Sequence, residues 1–252
     1  MREYFHISDP AAHNIGEVAD PETAKQQHDE LKSALAAFGA DVVDAPELTG
    51  HPNSVFVRDT ALCTPVGYVQ LRLGLDTRLG EGEWMAHILE SLGEPRAGEI
   101  TAPGTVDGGD VVLASDVAFV GHTTRTNDGG IRQLSTILGG MDYEMRVAPL
   151  PDDILHLDKV MMALGPGRIV CLPEFFPEGF FAGFDTIEVP RRGANSANVI
   201  CLGEDEIIAH AANAEAIAIL ERHGVTVHSI DLSEFAKGMG GPNCLIMPVE
   251  RK

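Results

Sequence analysis

Apolar and polar positions along this chain fall into short runs that switch repeatedly between helical and strand spacing. Asp20-Pro21-Glu22 carries the marks of a helix start, a capping Asp followed by Pro in the first turn. The helix predicted from there runs through Gln26, Leu31, Leu35 and Phe38, and Gly39 stops it. A short strand is expected at Asp41-Val42-Val43. Two more are expected at Val55-Phe56-Val57 and Tyr68-Val69-Gln70-Leu71, on either side of Pro65-Val66-Gly67. Trp84, Ile88 and Leu92 then mark one face of a second helix.

The theme returns. Val111-Val112-Leu113 and Val117-Ala118-Phe119-Val120 read as hairpin strands, and Asn127 caps a helix containing Ile131, Leu134 and Leu138. Val160 to Leu164 and Arg168 to Cys171 bracket the turn Gly165-Pro166-Gly167. Ala197 to Ile200 and Glu206 to Ala209 flank Gly203-Glu204-Asp205, ahead of a helix from Ala212 to Arg222 and a strand at Val225-Thr226-Val227. Strand, turn, strand, helix, strand thus recurs roughly every 45–50 residues, which predicts radial repetition of small mixed sheets. A doubly wound parallel sheet would show single strands between its helices instead. The expected fold class is α/β, propeller-like, with no linker to divide it: one domain over residues 1–252.

Composition excludes several functions. The 252 residues are 44% hydrophobic, enough for one large core or for repeated units. No run approaches the ~20 apolar residues of a membrane helix. The stretch Met1 to His6 lacks the apolar centre of a secretion signal. A soluble cytoplasmic protein is expected. The formal charge of -20 argues against nucleic acid or anionic membrane as partner. It suits a cationic substrate, but acidic surfaces commonly serve solubility alone. The four cysteines, Cys63, Cys171, Cys201 and Cys244, show no disulfide-type or metal-type spacing. The first three lie in apolar runs, as small core residues do.

Five segments break the core pattern with polar chemistry. Asn53-Ser54-Val55-Phe56-Val57-Arg58-Asp59 ends an apolar run in a carboxylate, which suits a ligand or a surface ion pair. In Gly104-Thr105-Val106-Asp107-Gly108-Gly109-Asp110, two carboxylates flank paired glycines, as in a ligand loop or a tight acidic turn. Arg125, in Gly121 to Asn127, suits a substrate carboxylate or solvent. His156 and Asp158 are two residues apart, and on a strand they would share a face, either for acid–base work or as a structural pair. Gly238-Met239-Gly240-Gly241-Pro242-Asn243-Cys244 delivers a thiol from a glycine-rich loop, where backbone N–H groups can favour thiolate and glycines leave room for a planar ligand.

Taken in order, Phe-Val-Arg-Asp, Asp-Gly-Gly-Asp, Arg-Thr-Asn, His-Leu-Asp and Gly-Gly-Pro-x-Cys resemble the guanidine-modifying enzyme superfamily. That superfamily contains arginine deiminases, dimethylarginine dimethylaminohydrolases and amidinotransferases. The resemblance runs from Asn53 to Pro248. It implies a five-bladed αβ propeller (pentein) with a central site, Cys244 as nucleophile, His156 as acid–base group and Asp107 as the carboxylate of the catalytic set. It further implies Asp59 and Asp158 as guanidinium ligands, Arg78 and Arg125 as grips for an amino-acid carboxylate, and Asn53 as another substrate contact. A small cationic guanidino substrate is implied as partner, with no metal and no organic cofactor; family members are often homodimers. The compact length is that of the dimethylarginine hydrolases. Asn53 with Arg58, Asp158, and Gly240 to Cys244 with Met247-Pro248 are similar to the deiminases, whereas Met239 stands where deiminases commonly carry Arg. Arginine and methylated arginine are both candidate substrates. An amidinotransferase, or a binding protein without catalysis, are the alternatives.

Overall fold

The computed structural model describes residues 1–192 and 195–249. Gly193, Ala194 and residues 250–252, which the expected domain of residues 1–252 includes, lie outside the described residues. A short helix α1 (Arg2–Phe5) and a long helix α2 (Pro21–Ala37) come first. Asp20 caps α2 as its sequence demands, its carboxylate accepting from Thr23 N at 2.9 Å. Ala24, Gln27 and Leu31 form the buried stripe of this helix.

Each predicted hairpin then gains a third strand. β1 (Ala61–Thr64) pairs antiparallel with β2 (Gly67–Gln70), and helix α3 (Glu81–Ser91) carries the chain over to β3 (Arg96–Glu99), parallel to β2. The second unit repeats this with β4 (Val111–Ala114), β5 (Val117–His122), α4 (Asp128–Gly139) and β6 (Glu144–Pro149). The third consists of β7 (Met161–Gly165), β8 (Arg168–Cys171) and β9 (Asp185–Glu188). The fourth comprises β10 (Val199–Gly203), β11 (Glu206–His210), α5 (Ala214–Arg222) and β12 (Thr226–Ile230), followed by α6 (Ser233–Ala236). The result is an α/β architecture of four three-stranded mixed sheets. Among the described residues no helix is long and apolar enough to cross a membrane.

The third unit lacks an α-helix between β8 and β9. Phenylalanines cover the core there. Phe180 and Phe181 stand 5.5 and 5.6 Å from Phe119 of the second sheet, ring centre to ring centre, and Phe176 packs on Phe181 at 4.8 Å.

Three local expectations need correction. No strand forms at Asp41-Val42-Val43; Val42 and Val43 are 40% and 62% exposed, so nothing rewards pairing there. In α3 the buried positions are Glu81, Gly82, Met85, Ala86 and Leu89, while Trp84 and Ile88 pack at the edge of the core and Leu92 faces solvent. Val55-Phe56-Val57 is not a strand but part of two 3₁₀ turns, Pro52–Val55 and Val57–Asp59. The Phe56 carbonyl there accepts from Arg78 Nη2 at 3.0 Å and so serves no strand ladder.

One small structure recurs five times. Just before a strand or its equivalent, a backbone N–H donates to the carbonyl three residues earlier: Thr60 to Val57, Asp110 to Asp107, Val160 to Leu157, Asn198 to Asn195 and Cys244 to Gly241. Four of these turns lead into the four sheets; the fifth leads into Leu245 to Val249, to which no strand is assigned. Neighbouring turns are stitched together. Gly109 N donates to Asp59 Oδ1 (3.1 Å), Leu157 N to Asp110 Oδ1 (3.0 Å), Asn198 Nδ2 to the Asp158 carbonyl (3.2 Å) and Asn243 N to Asn198 Oδ1 (3.0 Å). These turns bring chemistry from five distant stretches to one hub.

Candidate active site

His156 ends up between two carboxylates. It is 3% exposed, with Nε2 3.1 Å from Asp107 Oδ2 and Nδ1 3.6 Å from Asp59 Oδ1. Burial by itself would lower the imidazole pKa. The Asp59 charge and the Asp107 hydrogen bond outweigh it and lift the ring to about 9. Asp59 feels the reverse. Burial raises its pKa, but the charges of His156 and Arg78 hold it down to about 2. Asp107 Oδ1 is fixed by Gly74 N at 2.8 Å.

His156 precedes the 3₁₀ turn Leu157–Lys159, which contains Asp158, so the two do not share a strand face as expected. Asp158 does not line the cavity at the hub. It is fully buried behind it, with Oδ2 accepting from Asn243 Nδ2 at 3.0 Å and Oδ1 3.5 Å from Lys159 Nζ.

Cys244 is 4% exposed, with its sulfur among nitrogen donors. Lys159 Nζ lies 2.8 Å away, Gly241 N 3.3 Å and Asn198 Nδ2 3.6 Å. Burial, helped by the Asp158 charge, pushes the thiol up to about 11 against the pull of Lys159. The glycines of this loop serve packing. A Cβ on Gly241 would run into Asn198 Oδ1, and one on Gly240 would run into Phe56. At Gly109 a Cβ would come within 2.7 Å of His156 Nδ1. Close approach is thus required of these glycines, by protein side chains.

The two arginines differ sharply. Arg78 is 4% exposed and lines the cavity, and each of its three guanidinium nitrogens is engaged. Nη1 meets Asp59 Oδ2 at 2.6 Å, Nε and Nη2 meet Glu81 Oε2 at 2.9 and 2.7 Å, and Nη2 also reaches the carbonyls of Asn53 and Phe56. Implied by the resemblance as a grip for a substrate carboxylate, it here also holds Asp59 in place. Arg125 lines the same cavity, and its guanidinium makes no hydrogen bond or ion pair among the described residues. Asn53 donates from Nδ2 to the His13 carbonyl at 2.7 Å, while its buried Oδ1 has no partner.

Sequence patterning missed three members of this cluster, Glu81, Asn198 and Lys159, and gave Asp110 no individual role. Glu81, completely buried, takes the far side of Arg78. Asp110 accepts from Thr123 and Thr126 hydroxyls as well as from Leu157 N, and burial lifts it to about 7. Asn198 supports the sulfur and the Asn243 amide. Lys159 had a visible signal, a charge immediately before the apolar run that starts at Val160. Asp59, Asp107 and His156, all buried, bring one atom each within 4.8 Å of one another, and the imidazolium itself is the cation between the two carboxylates.

Thiol, imidazole and paired carboxylates facing one cavity define a cysteine-dependent hydrolase built on an α/β fold of small three-stranded sheets. Comparison with known proteins narrows the class. The family model "Arginine deiminase" matches residues 180–251. The dimethylarginine dimethylaminohydrolase of Pseudomonas aeruginosa is 31% identical over 227 residues, covering 89% of each chain, and the Streptomyces coelicolor enzyme of the same name is 27% identical, covering 91% of this chain and 87% of its own. A crystal structure of the P. aeruginosa enzyme, a cysteine-to-serine variant complexed with citrulline, superimposes with a TM-score of 0.82 at 30% identity, over 90% of this chain and 89% of that one. The chain belongs to the guanidine-modifying enzyme superfamily that contains the arginine deiminases and dimethylarginine dimethylaminohydrolases.

Proposed function

We propose that this protein hydrolyses the guanidinium group of arginine or an Nω-methylated arginine, giving a citrulline-type product with release of ammonia or a methylamine. One observation carries the reading: Cys244, His156, Asp59 and Asp107 line a single cavity, with Arg125 on its wall. The whole chain acts as one catalytic unit, a five-bladed αβ propeller. Its fifth blade follows the Gly241–Cys244 turn, by analogy with the four turns that open the sheets.

A guanidinium is planar, cationic and resonance-stabilised, hence a poor electrophile. Asp59 and Asp107 hold it in plane and draw its charge toward the attacked carbon. The bound cation favours loss of the Cys244 proton to solvent water, and the resulting thiolate adds to the central carbon. His156, kept protonated by its two carboxylates, gives its proton to the departing nitrogen, and that C–N bond breaks to leave a thiouronium on Cys244. The neutral imidazole then takes a proton from water, which adds to the same carbon. The C–S bond breaks, the sulfur leaves as thiolate, and a ureido product is released. Arg125 receives the substrate carboxylate, and Asn53 Oδ1 accepts an N–H of the substrate. Arg78 and Asp158 act one step removed, holding Asp59 and the cysteine turn.

The test is to incubate the protein with arginine, monomethyl- and dimethylarginine and agmatine, following ureido product and released amine. A covalent mass on Cys244 after quenching supports the reading. A new guanidino compound formed from an added amine, with ornithine, identifies an amidinotransferase instead. Binding without any product identifies a non-catalytic binder.

A further inference from the structure

We propose that Lys159 is a further catalytic residue, whose ammonium is the counter-ion of the Cys244 thiolate, in a cradle completed by the Gly241 amide and the Asn198 carboxamide. The inference rests on Cys244 being the nucleophile and is independent of which guanidino compound is the substrate. A neutral thiol is a weak acceptor, yet three N–H donors converge on this sulfur at 2.8, 3.3 and 3.6 Å. Such a set is built for an anion.

The lysine has no better place to spend its charge. It is 3% exposed, and a buried ammonium requires a partner. Its nearest carboxylate oxygen, Asp158 Oδ1, is 3.5 Å away, beyond the 2.8 Å of the sulfur contact, and the other oxygen of Asp158 is bound to Asn243. Lys159 immediately precedes Val160, the closing residue of the third turn, and Asp59 stands in the same place before Thr60 in the first. Both side chains reach the hub. Around the sulfur, Asp158, with Oδ2 3.8 Å away, and Asp59 and Asp107 in the same cavity oppose the thiolate, whereas His156 and Arg78, also in that cavity, favour it. His156 and Arg78 are already paired with carboxylates, so Lys159 is the cation in contact with sulfur.

Alkylation of the folded, full-length protein by iodoacetamide tests this, because the reagent is uncharged, reports on thiolate and needs no substrate. The rate of labelling at Cys244, followed by mass spectrometry of its peptide at pH 8, is expected to fall at least about tenfold in Lys159→Met and Lys159→Gln, as loss of one pKa unit of stabilisation requires. Lys159→Arg restores most of it. Equal rates in the neutral variants, with circular dichroism unchanged, overturn the proposal and leave Lys159 as a structural partner of Asp158. Should neither neutral variant fold, Cys244→Ser decides by reciprocity: the Lys159 15Nζ resonance titrates at least about one pH unit lower than in the parent protein. Identical midpoints overturn the proposal. A protein that alkylates as expected but turns over no guanidino compound retains this role for Lys159 and loses the hydrolase reading above.

Discussion

Nε2 of His156 lies 3.1 Å from Oδ2 of Asp107, a contact between two buried side chains that stand 49 residues apart in sequence. With Asp59 on the other nitrogen, the ring is an imidazolium over the whole neutral range, its pKa lifted to about 9. This geometry has consequences for stability as well as for chemistry.

The folded pKa of His156 exceeds the unfolded value, so its charge stabilises the fold fully below pH 6.5 and the contribution is lost as pH rises through about 9. The shift corresponds to about 3 kcal/mol. His156→Asn is therefore expected to lower the unfolding free energy most near pH 6, with the deficit shrinking toward pH 9.5 or so. Urea titrations of both proteins across that range check it. A deficit that grows with pH contradicts the assignment.

Cys244→Ser keeps the volume of the proposed nucleophile and removes its reactivity. Turnover is expected to drop by three orders of magnitude or so, the scale of losing a covalent route. Binding of arginine analogues, read by calorimetry, should persist within about 1 kcal/mol, because the carboxylates that meet the cation are untouched.

Arg125→Ala separates carboxylate recognition from chemistry. The KM for arginine is expected to rise about 10- to 100-fold, the cost of a charge-assisted pair, with kcat little changed. Agmatine carries no carboxylate, so its kinetics should not respond. An equal loss for both compounds would place Arg125 in the catalytic step.

Arg78→Met has a different signature. It strips the partner from two buried carboxylates, Asp59 and Glu81, and is expected to cost about 3–5 kcal/mol of stability. Thermal unfolding should drop markedly, whereas Arg125→Ala leaves it unmoved.

Gly241→Ala places a methyl against Asn198 Oδ1. Backbone strain is not involved, since Gly241 is extended, with φ of -118°. The Asn198 side chain must yield, and with it the bond from Asn243 N. A loss of about 1–3 kcal/mol is expected, together with impaired turnover at unchanged agmatine binding.

Much of this architecture was legible in residue order. The hairpins at Val111 to Val120 and Met161 to Cys171 formed where alternation and turn residues placed them, because both strands are local and need no distant partner to be recognised. Asp20 and Asn127 cap helices for the same reason. The failures are non-local. Val42 and Val43 have strand propensity but find no sheet edge. Phe56 looks like a strand centre, yet its carbonyl is claimed by Arg78, 22 residues later.

The site divides along the same line. Motif resemblance picked out Cys244, His156, Asp59 and Asp107, and one cavity brings them together. It could not tell that Arg78 is enclosed by its own acids while Arg125 is unencumbered, since both are simply arginines near turns. Nor could it reveal Lys159, whose sulfur partner is 85 residues away. The resemblance implied Asp158 as a guanidinium ligand, and its spacing from His156 a shared strand face, but a 3₁₀ turn forms there and Asp158 is not among the residues lining the cavity.

The five stitched turns make the sulfur's surroundings a property of the whole assembly. Sulfur and ammonium belong to turns at opposite ends of a long stretch, and every stitch between them is a contact between segments made at different times during synthesis. A nascent or partly unravelled molecule carries an ordinary thiol, neither cradled nor faced by an acid. The full set of groups around that sulfur exists only where the turns are stitched together, so damage to any one segment scatters the set.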